Sequence, residues 1–202
     1  MINMDKITIN TYNQMAEEYD METTDFWQKF PRSFLDKFIE TVGINGRVLD
    51  IGSGPGRDGL LLKEAGLTVT CLDASEAMIK LSSEKGLDSV LGDFMNLPFA
   101  NQSFSGAWVY TSLLHVPKKD INIALNEIKR ILEPNGVLGL GMIKGDNETY
   151  RESSGVSLPR WFSFYNQEEI EKILLAHDFE IIHFEIFKPG SRNYLNFIAK
   201  SK

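Results

Sequence analysis

From residue 46 onward, short apolar runs alternate with amphipathic segments. The apolar runs predict strands at 47–51, 67–72, 88–91, 104–110 and 136–143. Amphipathic segments near 57–65, 75–85 and 119–132 lie between them and predict helices. Strands that alternate with helices in this way form a parallel sheet with crossover connections.

Two helices are predicted before this region. They cover 11–19 and 31–42, and Pro31 lies in the first turn of the second helix. Together they predict a helical cap at the amino-terminal end of the chain.

The pattern changes again after residue 144. Residues 145–161 are polar, rich in Gly and Ser and without a clear period, which predicts a loop over the sheet edge. A helix is predicted to begin at Asn166, and strands follow at 179–187 and 192–199. The short Pro189-Gly190 joint makes these two strands an antiparallel pair.

The predicted fold class is therefore α/β: a doubly wound, Rossmann-like sheet of seven mostly parallel strands, with an antiparallel carboxyl-terminal strand and helices on both faces. At 202 residues the chain is long enough for one domain. We divide that domain into a cap (1–45), a core (46–144), a loop (145–165) and a carboxyl-terminal helix and hairpin (166–202).

Composition narrows the classes of function. The 21 Lys and Arg residues are outnumbered by 28 Asp and Glu and form no long basic run, so no nucleic-acid partner is expected. The amino-terminal sequence MINMDKITIN lacks the apolar core of a signal peptide, and no apolar stretch could span a membrane. Cys71 is the only cysteine and the acids and histidines lack metal-ligand spacing, so we expect a cytoplasmic protein without disulfide or metal.

A glycine-rich turn is the sharpest feature of the sequence. The strand Val48–Ile51 runs into Gly52, Gly54 and Gly56, and a helix follows. Glycine lets a ligand approach the backbone closely, and the free amides of the helix can bind it. The same residues could also form a plain strand-to-helix turn.

An acid in the next strand makes the turn more informative. Asp73 ends that strand about 20 residues after the glycines, where a carboxylate can accept both hydroxyls of an adenosine ribose. Its alternative role is to cap the helix near residue 75.

A dinucleotide fingerprint competes with this interpretation, because residues 54–59 match G-x-G-x-x-G. Asp50, inside the preceding strand, would repel a pyrophosphate but could organise the turn or attract an ammonium group. Pro55 also removes a backbone donor that a phosphate loop would use. The first functional glycine is therefore Gly52 rather than Gly54.

The segment from Asp50 to Gly56 resembles the first motif of the class I S-adenosylmethionine-dependent methyltransferases, strand-Asp-x-Gly-x-Gly-x-Gly. Gly92-Asp93-Phe94 and the segment 127–136 are similar to further motifs of this family, and the resemblance extends from about Tyr12 to Lys200. It implies S-adenosylmethionine as cofactor, S-adenosylhomocysteine as product and in-line methyl transfer to a small-molecule acceptor.

The resemblance also implies a set of cofactor-binding residues: Tyr12, Tyr19, Asp50, Gly52, Ser53, Gly54, Asp73, Ala74, Asp93, Phe94 and Tyr110. The glycine turn would meet the methionine end and Asp73 the ribose. Asp93 would accept from the adenine amino group, or would be a simple turn residue. Tyr12 and Tyr19, seven residues apart, would share one helix face and close over the cofactor, or would pack the cap.

Candidates for catalysis and acceptor binding are fewer. His115 follows the fourth strand and could act as a general base or make a structural hydrogen bond. Arg151, Arg160 and Trp161 could bind an acidic or aromatic acceptor, or could be ordinary loop residues. A nicotinamide-dependent oxidoreductase and a non-catalytic cofactor-binding module stay open as alternatives, as do the monomeric and homodimeric states.

Overall fold

The computed structural model describes residues 4–153 and 156–202, and a seven-stranded sheet lies at its centre. The strands of this sheet are β1 Arg47–Ile51, β2 Thr68–Asp73, β3 Asp88–Leu91, β4 Phe104–Tyr110, β5 Leu132–Ile143, β8 Phe179–Phe187 and β9 Tyr194–Ser201. A separate hairpin contains β6 Glu148–Ser153 and β7 Val156–Ser163. The helices are α1 Lys6–Gln14, α2 Ala16–Thr23, α3 Phe26–Lys29, α4 Ser33–Val42, α5 Arg57–Glu64, α6 Glu76–Glu84, α7 Ile121–Ile131 and α8 Gln167–Ala176.

The strand order is β3-β2-β1-β4-β5-β9-β8. The first five strands in this order, from β3 to β5, pair parallel with their neighbours. Strand β9 pairs antiparallel with both β5 and β8. The predicted fold class, including the antiparallel carboxyl-terminal strand, is confirmed.

Two apolar clusters cover the two faces of the sheet. Leu49 and Ile51 of β1 belong to the cluster that packs with α7 and α8. Val48 belongs to the opposite cluster, with α4, α5 and Trp108. This alternation follows from the period of two residues along a strand, and it also fixes the direction of every polar side chain within the strands.

The predicted loop over 145–161 is wrong in its secondary structure, because most of it forms the β6–β7 hairpin. Tyr150 pairs with Trp161 and Arg151 with Arg160 across that hairpin. Val156 and Phe162 are buried, but polar residues between them hide the strand pattern in the sequence. Residues 154 and 155 of the predicted loop, and residues 1–3 of the predicted cap, lie outside the described residues.

The cap also differs from its prediction. The helix expected over 11–19 is two helices that meet at Met15, and the first begins at Lys6 because the Asp5 side chain accepts a hydrogen bond from the Thr8 amide, 2.8 Å away. Pro31 precedes α4 instead of lying in its first turn. No helix in the described ranges is both long and apolar enough to cross a bilayer.

Candidate functional site

The glycine turn joins the carboxyl end of β1 to α5. Gly52 and Gly54 have φ angles of 69° and 54°, in the left-handed region that favours glycine. A Cβ atom on Gly52 would lie 2.3 Å from the Cβ of Ser112, which is closer than real Cβ contacts allow. The turn therefore requires glycine here for both its backbone angles and its tight packing.

Asp73 ends β2 and faces the glycine turn. Its Oδ2 accepts a hydrogen bond from the Gly54 amide at 2.9 Å, and its Oδ1 accepts one from the Ser75 amide at 2.8 Å. Burial raises the pKa of Asp73, although these amide donors oppose the shift. Each carboxylate oxygen has a second lone pair with which it can accept from a ligand hydroxyl.

The alternative in which Asp73 caps the next helix is wrong. Ser75 is the N-cap of α6, and its hydroxyl accepts from the Met78 amide at 3.2 Å. The Asp73 carboxylate instead links the end of β2 to the glycine turn.

Two cavities meet above the carboxyl edge of the sheet. The glycine-turn cavity is lined by residues that include eight predicted cofactor residues, namely Tyr12, Tyr19, Gly52, Gly54, Asp73, Ala74, Asp93 and Phe94. The arginine cavity has a volume of about 420 Å³ and is lined by residues that include Arg57, Arg160 and Arg192. Both cavities are lined by Tyr12, Tyr19, Thr111 and His115, so these four residues form a shared wall.

Asp93 also lines the glycine-turn cavity. Its Oδ1 accepts from the Met95 amide at 2.7 Å, and its Oδ2 lies 3.5 Å from the Met4 amide. Neighbouring Phe94 is buried in the core. Asp93 therefore organises its own turn while it lines the cavity, so both roles considered for it are compatible with the geometry.

A chain of hydrogen bonds crosses the shared wall. Arg160 Nη1 donates to the Tyr12 hydroxyl at 3.0 Å, and that hydroxyl lies 2.9 Å from His115 Nε2. On the other side of the imidazole, His115 Nδ1 is paired with the carbonyl oxygen of Trp161. A carbonyl only accepts, so Nδ1 carries the proton and Nε2 accepts from Tyr12 in the neutral ring.

Electrostatics agree with a neutral imidazole. His115 is only 5% exposed, and burial lowers the pKa of its imidazole to about 4. The Arg160 cation lowers this pKa further, whereas the Trp161 carbonyl opposes the shift. His115 is therefore neutral at physiological pH, and both of its ring nitrogens are occupied.

Three predicted cofactor residues do not line the glycine-turn cavity: Asp50, Ser53 and Tyr110. The Asp50 side chain points to the same sheet face as Val48, where burial raises the pKa of its carboxyl group and the Gly59 amide donates to it. The Ser53 amide is bonded to the Leu72 carbonyl oxygen at 3.1 Å. Tyr110 stacks on Trp108 and lines the arginine cavity instead.

The three predicted acceptor residues occupy different places. Arg160 is buried and lines the arginine cavity. Arg151 lies over the Phe164 ring, 4.4 Å from its centroid, and lines a neighbouring cavity. Trp161 lines neither the glycine-turn cavity nor the arginine cavity, because its indole nitrogen donates to the Ser163 hydroxyl at 3.0 Å.

Most residues that line these two cavities were not singled out individually from the sequence, and Arg57 and Thr111 are two of them. Arg57 directly follows the glycine turn and lines the arginine cavity. Thr111 lies in the shared wall with a φ of 56°, which is unusual for a β-branched residue. The position of Arg57 beside the turn was a usable signal, whereas the Thr111 backbone angle leaves no mark in the sequence. Within the described ranges, no group of three or more His, Cys, Asp or Glu residues could hold a metal ion.

Comparison with known proteins shows what the chain is similar to. Residues 49–140 match the family model described as a methyltransferase domain. A demethylmenaquinone methyltransferase from Renibacterium salmoninarum is 32% identical over 133 residues, which cover 63% of this chain and 54% of that protein. A UbiE C-methyltransferase of ubiquinone and menaquinone biosynthesis from Rickettsia massiliae is 31% identical over 144 residues. The chain spans about half the length of these curated relatives, 54% and 56%.

Solved structures share the fold across the whole chain. The 1,6-didemethyltoxoflavin-N1-methyltransferase of Burkholderia thailandensis, crystallised with 1,6-didemethyltoxoflavin and S-adenosylhomocysteine, has a TM-score of 0.72 at 20% identity and covers 100% of this chain and 93% of its own. The [4+2]-cyclase SpnF has a TM-score of 0.77 at 18% identity, with 99% and 98% covered. The matched family model, the sequence motifs and the strand order together support a class I S-adenosylmethionine-dependent methyltransferase.

Proposed function

We propose that the protein transfers a methyl group from S-adenosylmethionine to a small molecule that binds in the arginine cavity. The observation that carries this proposal is the shared wall, because two cavities that meet at Tyr12, Tyr19, Thr111 and His115 allow two ligands to touch there. Methyl transfer requires such direct contact between donor and acceptor.

The carboxylates and the glycine turn that line the glycine-turn cavity match the polar groups of the cofactor. We assign the methionine end to the turn at Gly52 and Gly54, which line the cavity and, without side chains, let a ligand approach the backbone. Asp73, with Ala74 beside it, would hold the ribose, and Asp93 with the Phe94 amide would meet the adenine. Ser53 would contribute through the turn that it helps to build, and Asp50 and Tyr110 would support the site from outside this cavity.

S-adenosylmethionine supplies an electrophilic methyl group, so that an acceptor electron pair forms the bond to carbon while sulfur keeps the pair of the broken S–C bond. The chain's own residues then need to orient the acceptor and exclude water. Tyr12 and His115 are suited to this work because their hydrogen bonds fix the shared wall.

We infer that His115 positions Tyr12 rather than acting as the general base. Its Nε2 already accepts from the Tyr12 hydroxyl, and a pKa of about 4 makes it a weak base. Arg160 supports the same hydroxyl from the acceptor side at 3.0 Å. Arg151 and Trp161 would act more remotely, the first from the neighbouring cavity and the second through its backbone carbonyl.

The names of the relatives and the composition of the chain support a small molecule as the acceptor. Demethylmenaquinone and 1,6-didemethyltoxoflavin, the small molecules in the names of two relatives, support the class of acceptor. The excess of acids over bases argues against nucleic acid as a partner, and the single cysteine suits a reducing cytoplasm. We expect a single domain that works as a monomer or homodimer.

Calorimetry with S-adenosylhomocysteine and with NADH tests the cofactor. We expect the first to bind and the second not to bind, and binding of NADH alone would favour an oxidoreductase. Methyl-labelled S-adenosylmethionine then tests the activity in an acceptor screen. Tight cofactor binding without label transfer to any acceptor would favour a non-catalytic module.

A further inference from the structure

Arg57 connects the glycine turn to the arginine cavity. It is the first residue of α5, three positions after Gly54, yet its side chain lines the acceptor side of the site. The side chain is 17% exposed, so the guanidinium is largely enclosed by protein.

The Asp58 carboxylate accepts four hydrogen bonds, and two of them come from the Arg57 guanidinium. Arg57 donates from Nε to Asp58 Oδ1 at 2.6 Å and from Nη2 to Oδ2 at 3.1 Å. The same carboxylate accepts from the indole nitrogens of Trp27 at 2.7 Å and Trp108 at 2.8 Å. Asp58 is therefore held from two sides, and its planar pairing with Arg57 sets the orientation of the guanidinium.

Arg57 lines the arginine cavity, and one end of its guanidinium is left for a ligand. Its Nη1 group has no hydrogen-bond partner among residues 4–153 and 156–202. The guanidinium carbon lies 4.8 Å from the centroid of the Phe26 ring, which covers one face of the group. Burial opposes the charge, but neighbouring Asp58 raises the pKa of Arg57, so the group stays cationic.

The lining of the cavity is basic and aromatic, although the chain as a whole has a net charge of -7. Three arginines line the cavity, while Glu22, at the surface, is the one acid in the described lining. Aromatic rings form much of the remaining wall, and two of them, Tyr110 and Tyr194, are parallel within 10°. A planar anion would match both the charge and the flat walls.

We propose that Arg57 is a specificity-determining residue that binds the negative charge of a planar aromatic or enolic acceptor. This inference rests on the proposed function, because it names the class of acceptor for the same cavity. An acceptor that arrives as an anion brings its own electron pair for the new bond, so the protein does not need to remove a proton. The occupied state of His115 agrees with such an acceptor.

Calorimetry on protein saturated with S-adenosylhomocysteine tests the proposal without depending on turnover. The probes are salicylate, 4-hydroxybenzoate and phenylpyruvate, each measured beside its neutral amide. We expect at least one acid to bind more tightly than its amide. Arg57→Gln should weaken binding of that acid by roughly 10- to 100-fold, the effect of losing a hydrogen bond to a charged group, and leave the amide unchanged.

Two further variants make the result interpretable. Arg47→Gln removes an exposed arginine at the opposite end of β1 and should leave acid binding unchanged. Arg57→Lys keeps the positive charge beside Asp58 but loses the planar pairing, and it should still weaken acid binding roughly tenfold. This variant tests the proposal if Arg57→Gln does not fold.

The proposal is overturned if the amides bind as well as the acids, if neither member of any pair binds, or if both Arg57 variants bind the acids normally. Each of these results leaves cofactor binding intact. The proposed function itself fails only if S-adenosylhomocysteine does not bind, or if no acceptor of any charge is methylated.

Discussion

The Tyr12 hydroxyl lies 2.9 Å from Nε2 of His115, and this contact joins the amino-terminal helix α1 to the segment that follows β4. Both residues line the two cavities. The shared wall of the two cavities is therefore built from two parts of the chain that are 103 positions apart.

Replacing Tyr12 by Phe tests the energetic importance of this contact. The change leaves His115 Nε2 buried without its donor, so we expect Tyr12→Phe to lower the free energy of unfolding by about 1 to 3 kcal/mol. Urea denaturation measures the effect. Tyr150→Phe is the matched control, because its hydroxyl also bonds a side chain, that of Asp5, but the residue is 41% exposed. Equal losses in the two variants would contradict the assigned importance of the buried contact.

Stability should depend on pH through His115. Its pKa is about 4 in the folded protein against an ordinary value of 6.5, so the unfolded chain binds the extra proton between these values. Stability from this residue is therefore complete above pH 6.5 and is lost as the pH falls towards 4, with a slope of up to about 1.4 kcal/mol per pH unit. Denaturation of wild type and His115→Gln at several pH values isolates the effect. Parallel pH profiles for the two proteins would refute it.

The glycine turn should tolerate no side chain at Gly52. An added Cβ would lie 2.3 Å from Ser112 Cβ, at a φ of 69°. Gly66 is a suitable control because its φ is 89° but no atom lies within 4 Å of its Cβ position. We expect Gly52→Ala to cost at least about 2 kcal/mol more in unfolding free energy than Gly66→Ala, because only the first adds a clash to the backbone strain. Similar losses of unfolding free energy in the two variants would mean that backbone strain alone, and not the clash with Ser112, accounts for the effect.

Asp73→Ala should weaken binding of S-adenosylhomocysteine by about 1 to 3 kcal/mol, because ribose hydroxyls would lose a charged acceptor. The same change removes the acceptor for the Gly54 amide, so Asp73→Asn, which retains one oxygen, should lose less affinity. Calorimetry measures both. Asp88→Ala, which removes a carboxylate at the start of β3, should bind normally. Full affinity in Asp73→Ala would show that the ribose assignment is wrong.

The fold could be predicted from the sequence because its buried strands appear as apolar runs and its turns contain Gly and Pro residues. The predicted order of strands and helices, the glycine turn and the antiparallel final pair all agree with the structure. The Asn166 capping box placed the start of α8 within one residue, whereas β5 begins at Leu132, four residues before its predicted start at 136.

The parts that could not be predicted depend on tertiary contacts. The β6–β7 hairpin has too few apolar residues to reveal a strand period, and its strand β7 is hydrogen-bonded to α1 and to the segment after β4, which are distant in the sequence. Asp50 was expected near the cofactor because it stands just before the turn in the resembling motif, but strand alternation places its side chain on the same face as Val48, and it does not line the glycine-turn cavity. Arg57 was overlooked because its role depends on Asp58 and two distant tryptophans.

Helix α1 is hydrogen-bonded to the β6–β7 hairpin on one side and to the start of α6 on the other. Thr11 donates to the Pro159 carbonyl at 2.7 Å and Thr8 accepts from the Trp161 amide at 2.8 Å, while Asn13 accepts from the Ser75 hydroxyl at 2.7 Å. Ligands that leave past α1 must therefore break contacts with the hairpin and with α6 in the same event. The amides of α1 and β7 should consequently exchange with solvent as one unit, and the rate of that opening would set an upper limit on turnover along this exit route.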